Sequence, residues 1–130
     1  MASELRVNTL KDASGNNSVA TSTVAEGSAK AWCNLNGTGT AAIRDSFNTA
    51  SITDNGTGDY STTNTSAMGN VNYVCVATAG QNSGDQASAS NNEASSNRTS
   101  TVVRTQVLRS TSDSALDVSV CEVIKMGDLA

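Results

Sequence analysis

An apolar alternation of period two recurs along this chain, and no stretch of helical length shows a matching period of 3.6. That pattern predicts strands whose successive side chains point to opposite sheet faces. It is clearest from Ala29, where Ala29, Ala31, Cys33 and Leu35 share one side and Lys30, Trp32 and Asn34 the other. The run ends at Asn36-Gly37, a hairpin signal, and a second strand from Thr40 to Ile43 is expected to pair back. A short segment from Asp45 to Asn48 follows, with Phe47, the only Phe, placed in the core beside Ile52. The glycines and Asx side chains between Asp54 and Asp59 predict a tight turn leading into a strand from Tyr60 to Asn64.

The rest of the chain reads the same way. Leu5, Val7 and Thr9 share one face of an opening strand that reaches turn chemistry at Asp12, Ser14, Gly15 and Asn16. Ser18 to Gly27 is polar, with Val19 and Val24 its only large apolar residues, and is expected to be an extended connector that packs against a neighbouring subunit. From Val71 to Ala79 both faces carry apolar residues, Val71, Tyr73, Cys75 and Ala77 on one and Val74 and Val76 on the other, which predicts a central strand. Gln81 to Ser100 contains no large apolar side chain and is expected to be a long loop. Val102 to Arg109 and Leu116 to Ile124 are the closing strands, joined by a polar turn around Thr111 to Ser114. The chain therefore divides into residues 1–27, an N-terminal strand and extended connector, and residues 28–130, an all-β module folded as a small antiparallel β-sandwich.

Composition bears on how such a sandwich is stabilised. Leu, Ile, Val and Phe together supply 22 of 130 residues, whereas Ser, Thr and Asn supply 49. A net charge of −4 is too small for the usual signature of disorder, so the chain is expected to fold. So few large side chains make a thin monomer core, and surface buried between subunits is expected to supply the remainder as an obligate oligomer.

Several kinds of chemistry are disfavoured. There is no His, the commonest general acid/base and nitrogen metal ligand. The Ser residues have no visible activating base, and we expect no enzymatic activity and no cofactor. Asp54-x-Gly56-x-Gly58-Asp59 faintly resembles a calcium loop but lacks its run of acidic ligands and distal Glu, so the turn reading prevails and no metal is expected. Asp113 and Asp117 read as solvated surface. The Asn-x-Ser/Thr triplets at Asn16, Asn36, Asn55, Asn64 and Asn97 follow from composition alone. Cys33, Cys75 and Cys121 each lie in a strand-like run and read as buried thiols, with a disulfide or metal role the lesser alternative. No basic, apolar signal region opens the chain, so synthesis in the cytoplasm is expected; neither nucleic-acid binding nor membrane insertion is.

Two features invite a binding role. Trp32, the only Trp, is expected to pack in the sheet or at a subunit interface, and stacking on a sugar ring is the competing reading. The polar stretch from Gln81 to Ser100 is either a plain surface loop or a recognition loop, in which Asn82, Gln86, Asn91, Asn92 and Asn97 offer paired donors and acceptors to glycan hydroxyls.

Four segments also carry a family likeness: LRVNTLKDASGNNS from Leu5, AKAWCNLNGTGTAAIRDSFNTASITDNGTGDY from Ala29 to Tyr60, MGNVNYVCVATAG with Met68 and Tyr73, and the closing DVSVCEVIKMG. Together they resemble a module of phage tail fibres and other virion fibres, especially from phages of marine and cyanobacterial hosts. The sequence departs from that pattern at Cys33, where the family favours Val, and at Leu35, where it favours Phe. The resemblance implies a virion structural protein made in the host cytoplasm, a homotrimer attached to other phage virion proteins, with host-surface glycan as a candidate partner. Leu5, Val7 and Leu10 are then expected near the threefold axis or against a virion partner, with Trp32 as a further interface candidate. Because the chain begins almost at the module, a short stand-alone fibre tip is expected, with a capsid decoration or head-fibre protein as the alternative.

Overall fold

A computed structural model describes residues 3–80, 86–91 and 97–130. Two four-stranded antiparallel sheets pack face to face as a β-sandwich. In chain order the elements are β1 (Thr9–Lys11), β2 (Ser18–Ala20), α1 (Thr21–Gly27), β3 (Ala29–Asn36), β4 (Ala42–Phe47), β5 (Thr49–Gly56), β6 (Asp59–Asn64), β7 (Val74–Ala79), β8 (Ala87–Asn91), β9 (Val102–Arg109) and β10 (Cys121–Met126). One sheet has the order β4-β3-β10-β7 and the other β5-β6-β9-β8, while β1 and β2 form a separate hairpin.

Alternation explains which residues fill the sandwich. Ala31, Cys33 and Leu35 of β3 and Cys121 and Val123 of β10 point inward from one sheet, opposite Tyr60 of β6 and Val103 and Val107 of β9. Leu116 and Val118 plug one end of this core from irregular backbone. Asp117 between them fixes that end, accepting hydrogen bonds from the Tyr60 hydroxyl at 2.8 Å and the Gly58 amide at 2.7 Å. The expectation of solvated surface at Asp117 is thereby corrected. The other end is polar, with Thr62, Asn64, Thr105 and Lys125 all buried. There the Lys125 ammonium donates to Asn64 Oδ1 at 2.6 Å and to the Thr62 carbonyl at 3.3 Å.

Several boundaries and faces differ from the expectation, each for a local reason. Phe47 is 54% exposed. Register pairs Trp32 with Phe47 and Asn34 with Asp45, but Leu35 with Ile43, so Arg44 is the extra residue of a β-bulge. The bulge reverses parity along β4, leaving Ile43 against the core and turning Phe47 outward with Trp32. It also joins the two expected segments, Thr40 to Ile43 and Asp45 to Asn48, into one strand. The strand expected to be central from Val71 begins instead at Val74 and lies at a sheet edge, and its second apolar face, Val74 and Val76, is exposed. The last strand starts at Cys121 rather than Leu116, because the plug at Leu116 and Val118 breaks the ladder.

The polar stretches also gain structure. Within the expected long loop, residues 87–91 form β8, paired with β9 from Ala87↔Arg109 to Asn91↔Thr105. Ala87, Ala89 and Asn91 lie half-buried on its inner face and Ser88 and Ser90 outward, a period-two pattern written in small residues. The connector from Ser18 to Gly27 is not extended throughout, since Thr21–Gly27 is helical. Thr21 Oγ1, within hydrogen-bond distance of the Val7 and Asn8 carbonyls, ties α1 to the preceding chain. None of residues 3–29 is buried; Leu5, Val7, Leu10, Val19 and Val24 are all exposed.

Candidate binding cleft on the outer sheet face

Because β3, β10 and β7 turn their small and aliphatic residues inward, their alternate residues form a continuous outer surface. Cross-strand register arranges these in two rows. Phe47, Trp32, Ile124 and Val76 make an apolar row across all four strands of the β4-β3-β10-β7 sheet. Asp45, Asn34, Glu122 and Thr78 make a polar row beside it. Neighbouring strands lie about 4.8 Å apart, and rows two residues apart along a strand are separated by about 6.8 Å. An amphiphilic face results, with an aromatic platform on one side and hydrogen-bonding groups on the other.

This surface holds a cleft of about 550 Å³, lined among others by Trp32, Asn34, Arg44, Asp45, Val76 and Glu122. That volume lies within the usual range for small-molecule sites. The Glu122 carboxylate is oriented by Asn34 Nδ2 at 3.0 Å and Thr78 Oγ1 at 3.1 Å. Asn34 Oδ1 is buried and accepts no hydrogen bond from the described residues. The bulged Arg44 reaches back over β3 to the Leu35 carbonyl at 3.4 Å and Asn36 Oδ1 at 3.3 Å. Behind the platform, Thr49 Oγ1 donates to the Trp32 carbonyl at 3.1 Å and steadies that part of β3. Trp32 itself is half-buried and lines the cleft.

The residues expected to serve recognition are distributed differently. Asn82 and Asn92 lie outside the described residues. Gln86 is exposed before β8, and its carbonyl accepts the Ser110 amide at 2.9 Å. Asn91 is turned into the sandwich, where Nδ2 donates to the Cys75 carbonyl at 2.8 Å. Asn97 Oδ1 accepts from Arg104 at 3.4 Å and its carbonyl accepts the Arg104 amide at 2.9 Å. Of the named candidates only Trp32 lies in the cleft, while Leu5, Val7 and Leu10 stand exposed in the N-terminal arm. Asn34, Thr78 and Glu122 were not singled out by sequence. The alternation Cys121, Glu122, Val123 does mark Glu122 as outward, but bringing it beside Asn34 requires knowing that β3 pairs β10.

Buried titratable groups occupy structural positions. Cys33 and Cys121 are buried free thiols, pushed up by burial to about 11 and about 12, so both are poor nucleophiles at neutral pH. Burial lowers Lys125 to about 8. Asp59 forms an ion pair with Arg104, and Asp54 Oδ1 accepts the Gly56 amide at 2.9 Å, so the acidic turn satisfies itself. Among the described residues no cluster of three or more His, Cys, Asp and Glu is spaced to hold a metal, and no helix is long and apolar enough to cross a membrane. Comparison with protein-family models, curated proteins and solved structures finds no match for this chain.

Proposed function

We propose that this chain is a non-enzymatic structural protein of a phage virion, a fibre or fibre-tip module that assembles as a homotrimer and contributes to host-surface attachment. The observation that carries the assembly part is the N-terminal arm. Its two strands have three residues each, its helix has seven, and none of its described residues is buried. A lone two-stranded hairpin is marginal in water, and so is an isolated helix of two turns. Leu5, Val7, Leu10, Val19 and Val24 therefore gain most if arms of neighbouring copies pack together. The resemblance of four sequence segments to virion fibres supports the viral setting, and many copies on one particle would turn weak individual contacts into avid attachment.

Labelling particles of the encoding phage with antibodies against this chain, viewed by electron microscopy, tests the reading. Label on fibres or the tail tip is expected. Label spread over the capsid face would support the decoration-protein alternative, and particles that carry no label would overturn a virion role.

A further inference from the structure

We propose that the outer face of the β4-β3-β10-β7 sheet is a carbohydrate site, in which Trp32 stacks on the C–H face of a neutral pyranose while Asn34 and Glu122 bind its hydroxyls. The inference deepens the attachment reading and rests on it for a biological setting, although the binding itself can be measured on the isolated chain.

Three properties of the face select this ligand class. A pyranose has an apolar C–H face and a polar hydroxyl edge, and here an apolar row runs beside a polar row about 6.8 Å away. A ring seated on Trp32 therefore reaches the Asn34–Glu122 pair with its edge. The polar groups are also held ready: Glu122 is fixed by two donors, yet a carboxylate has about four lone-pair sites and so keeps capacity to accept from sugar hydroxyls. Asn34 Nδ2 gives one of its two N–H groups to Glu122 and keeps the other for a sugar oxygen. Finally, the cleft carries two carboxylates, Asp45 and Glu122, against one guanidinium, Arg44, in a chain of net charge −4. That balance favours neutral sugars over sialic or uronic acids.

A twofold contact with a second copy of the chain fits this face less well. A twofold contact is isologous, so the Asp45–Glu122 row would meet itself or its near neighbours and bury like charges without partners. A sugar leaves the outer side of that row in water.

Trp32 is the only Trp, so its fluorescence reports on the site directly. The full chain is titrated with methyl β-galactoside and methyl β-glucoside, with N-acetylneuraminic acid and glucuronic acid as acidic comparisons. A saturable emission change with at least one neutral glycoside, half-complete at about 1–10 mM, is expected, with at least tenfold weaker responses to the acids. Asn34→Ala and Glu122→Ala should each weaken binding at least fivefold while the circular dichroism spectrum and sedimentation mass stay unchanged. No saturable change up to about 100 mM overturns the proposal, as does unaltered binding in both variants. If Trp32→Ala lowers the sedimentation mass, the face is a subunit contact and the glycan assignment is wrong, while the oligomer reading stands.

Discussion

Replacing Lys125 with Met removes a buried ammonium and leaves a side chain of similar length between the two sheets. Burial lowers the folded-state pKa of Lys125 from an ordinary 10.5 to about 8. Between those values the unfolded chain holds more protons on this amine than the folded protein does, so stability rises with pH across the window. From pH 7 to pH 9 the gain from this one group is about 1 kcal/mol. Cys33 and Cys121, with raised pKa values, act in the opposite sense as pH rises; removing the Lys125 charge pushes Cys33 further up, so both thiols stay protonated in either folded protein up to pH 9 and largely cancel in the difference. At pH 7 the substitution relieves an amine desolvation cost of about 3 kcal/mol. It also leaves Asn64 Oδ1 and the Thr62 carbonyl without this donor, at about 1–3 kcal/mol each. Lys125→Met should therefore lie within about 3 kcal/mol of the parent at pH 7 and lose about 1 kcal/mol relative to it by pH 9. Urea unfolding of both proteins at the two pH values, under reducing conditions, measures the change. An identical pH increment in parent and variant would refute the claim that Lys125 is buried with a depressed pKa.

Two further outcomes follow from the same core. Gly58 has φ +64° and an added Cβ would lie 2.4 Å from the Val107 carbonyl oxygen, so Gly58→Ala should destabilise by about 3 kcal/mol or more, read as a lowered urea midpoint. Cys33 and Cys121, buried and with raised pKa values, should react with a thiol reagent at pH 8 only as fast as the protein opens; rapid labelling of both in the native protein would contradict the packing.

How far the fold can be read in the sequence depends on whether its signal is local. Ala31, Cys33 and Leu35, or Val103, Thr105 and Val107, reveal their shared inner face by spacing alone. Parity fails at the bulged Arg44, because a single unpaired residue turns Phe47 outward and nothing in the composition marks it. It is also silent on rank within a sheet, which is why the two-sided apolar pattern of Val74 to Ala79 suggests a central strand where an edge strand stands. Large apolar residues were too narrow a criterion at β8, whose alternation is carried by Ala and Ser. Lys125 shares the inward parity of Cys121 and Val123, so its burial was legible, although its Asn64 partner on the facing sheet was not. The binding cleft follows the same rule: Trp32 opposite Leu35 in parity is visible locally, whereas the Asn34–Glu122 pair spans 88 residues and exists only through strand register.

The central claim is that the chain assembles through its N-terminal arm, and sedimentation equilibrium at nanomolar to micromolar concentration tests it most directly, using the full chain and a variant lacking residues 1–27. The full protein should have a mass three times the 13.2 kDa of one chain, and the truncated one should be a folded monomer that keeps cooperative unfolding and a strand-dominated circular dichroism spectrum. A stable monomer of the full chain across that range, or a trimer that persists without the arm, would contradict it.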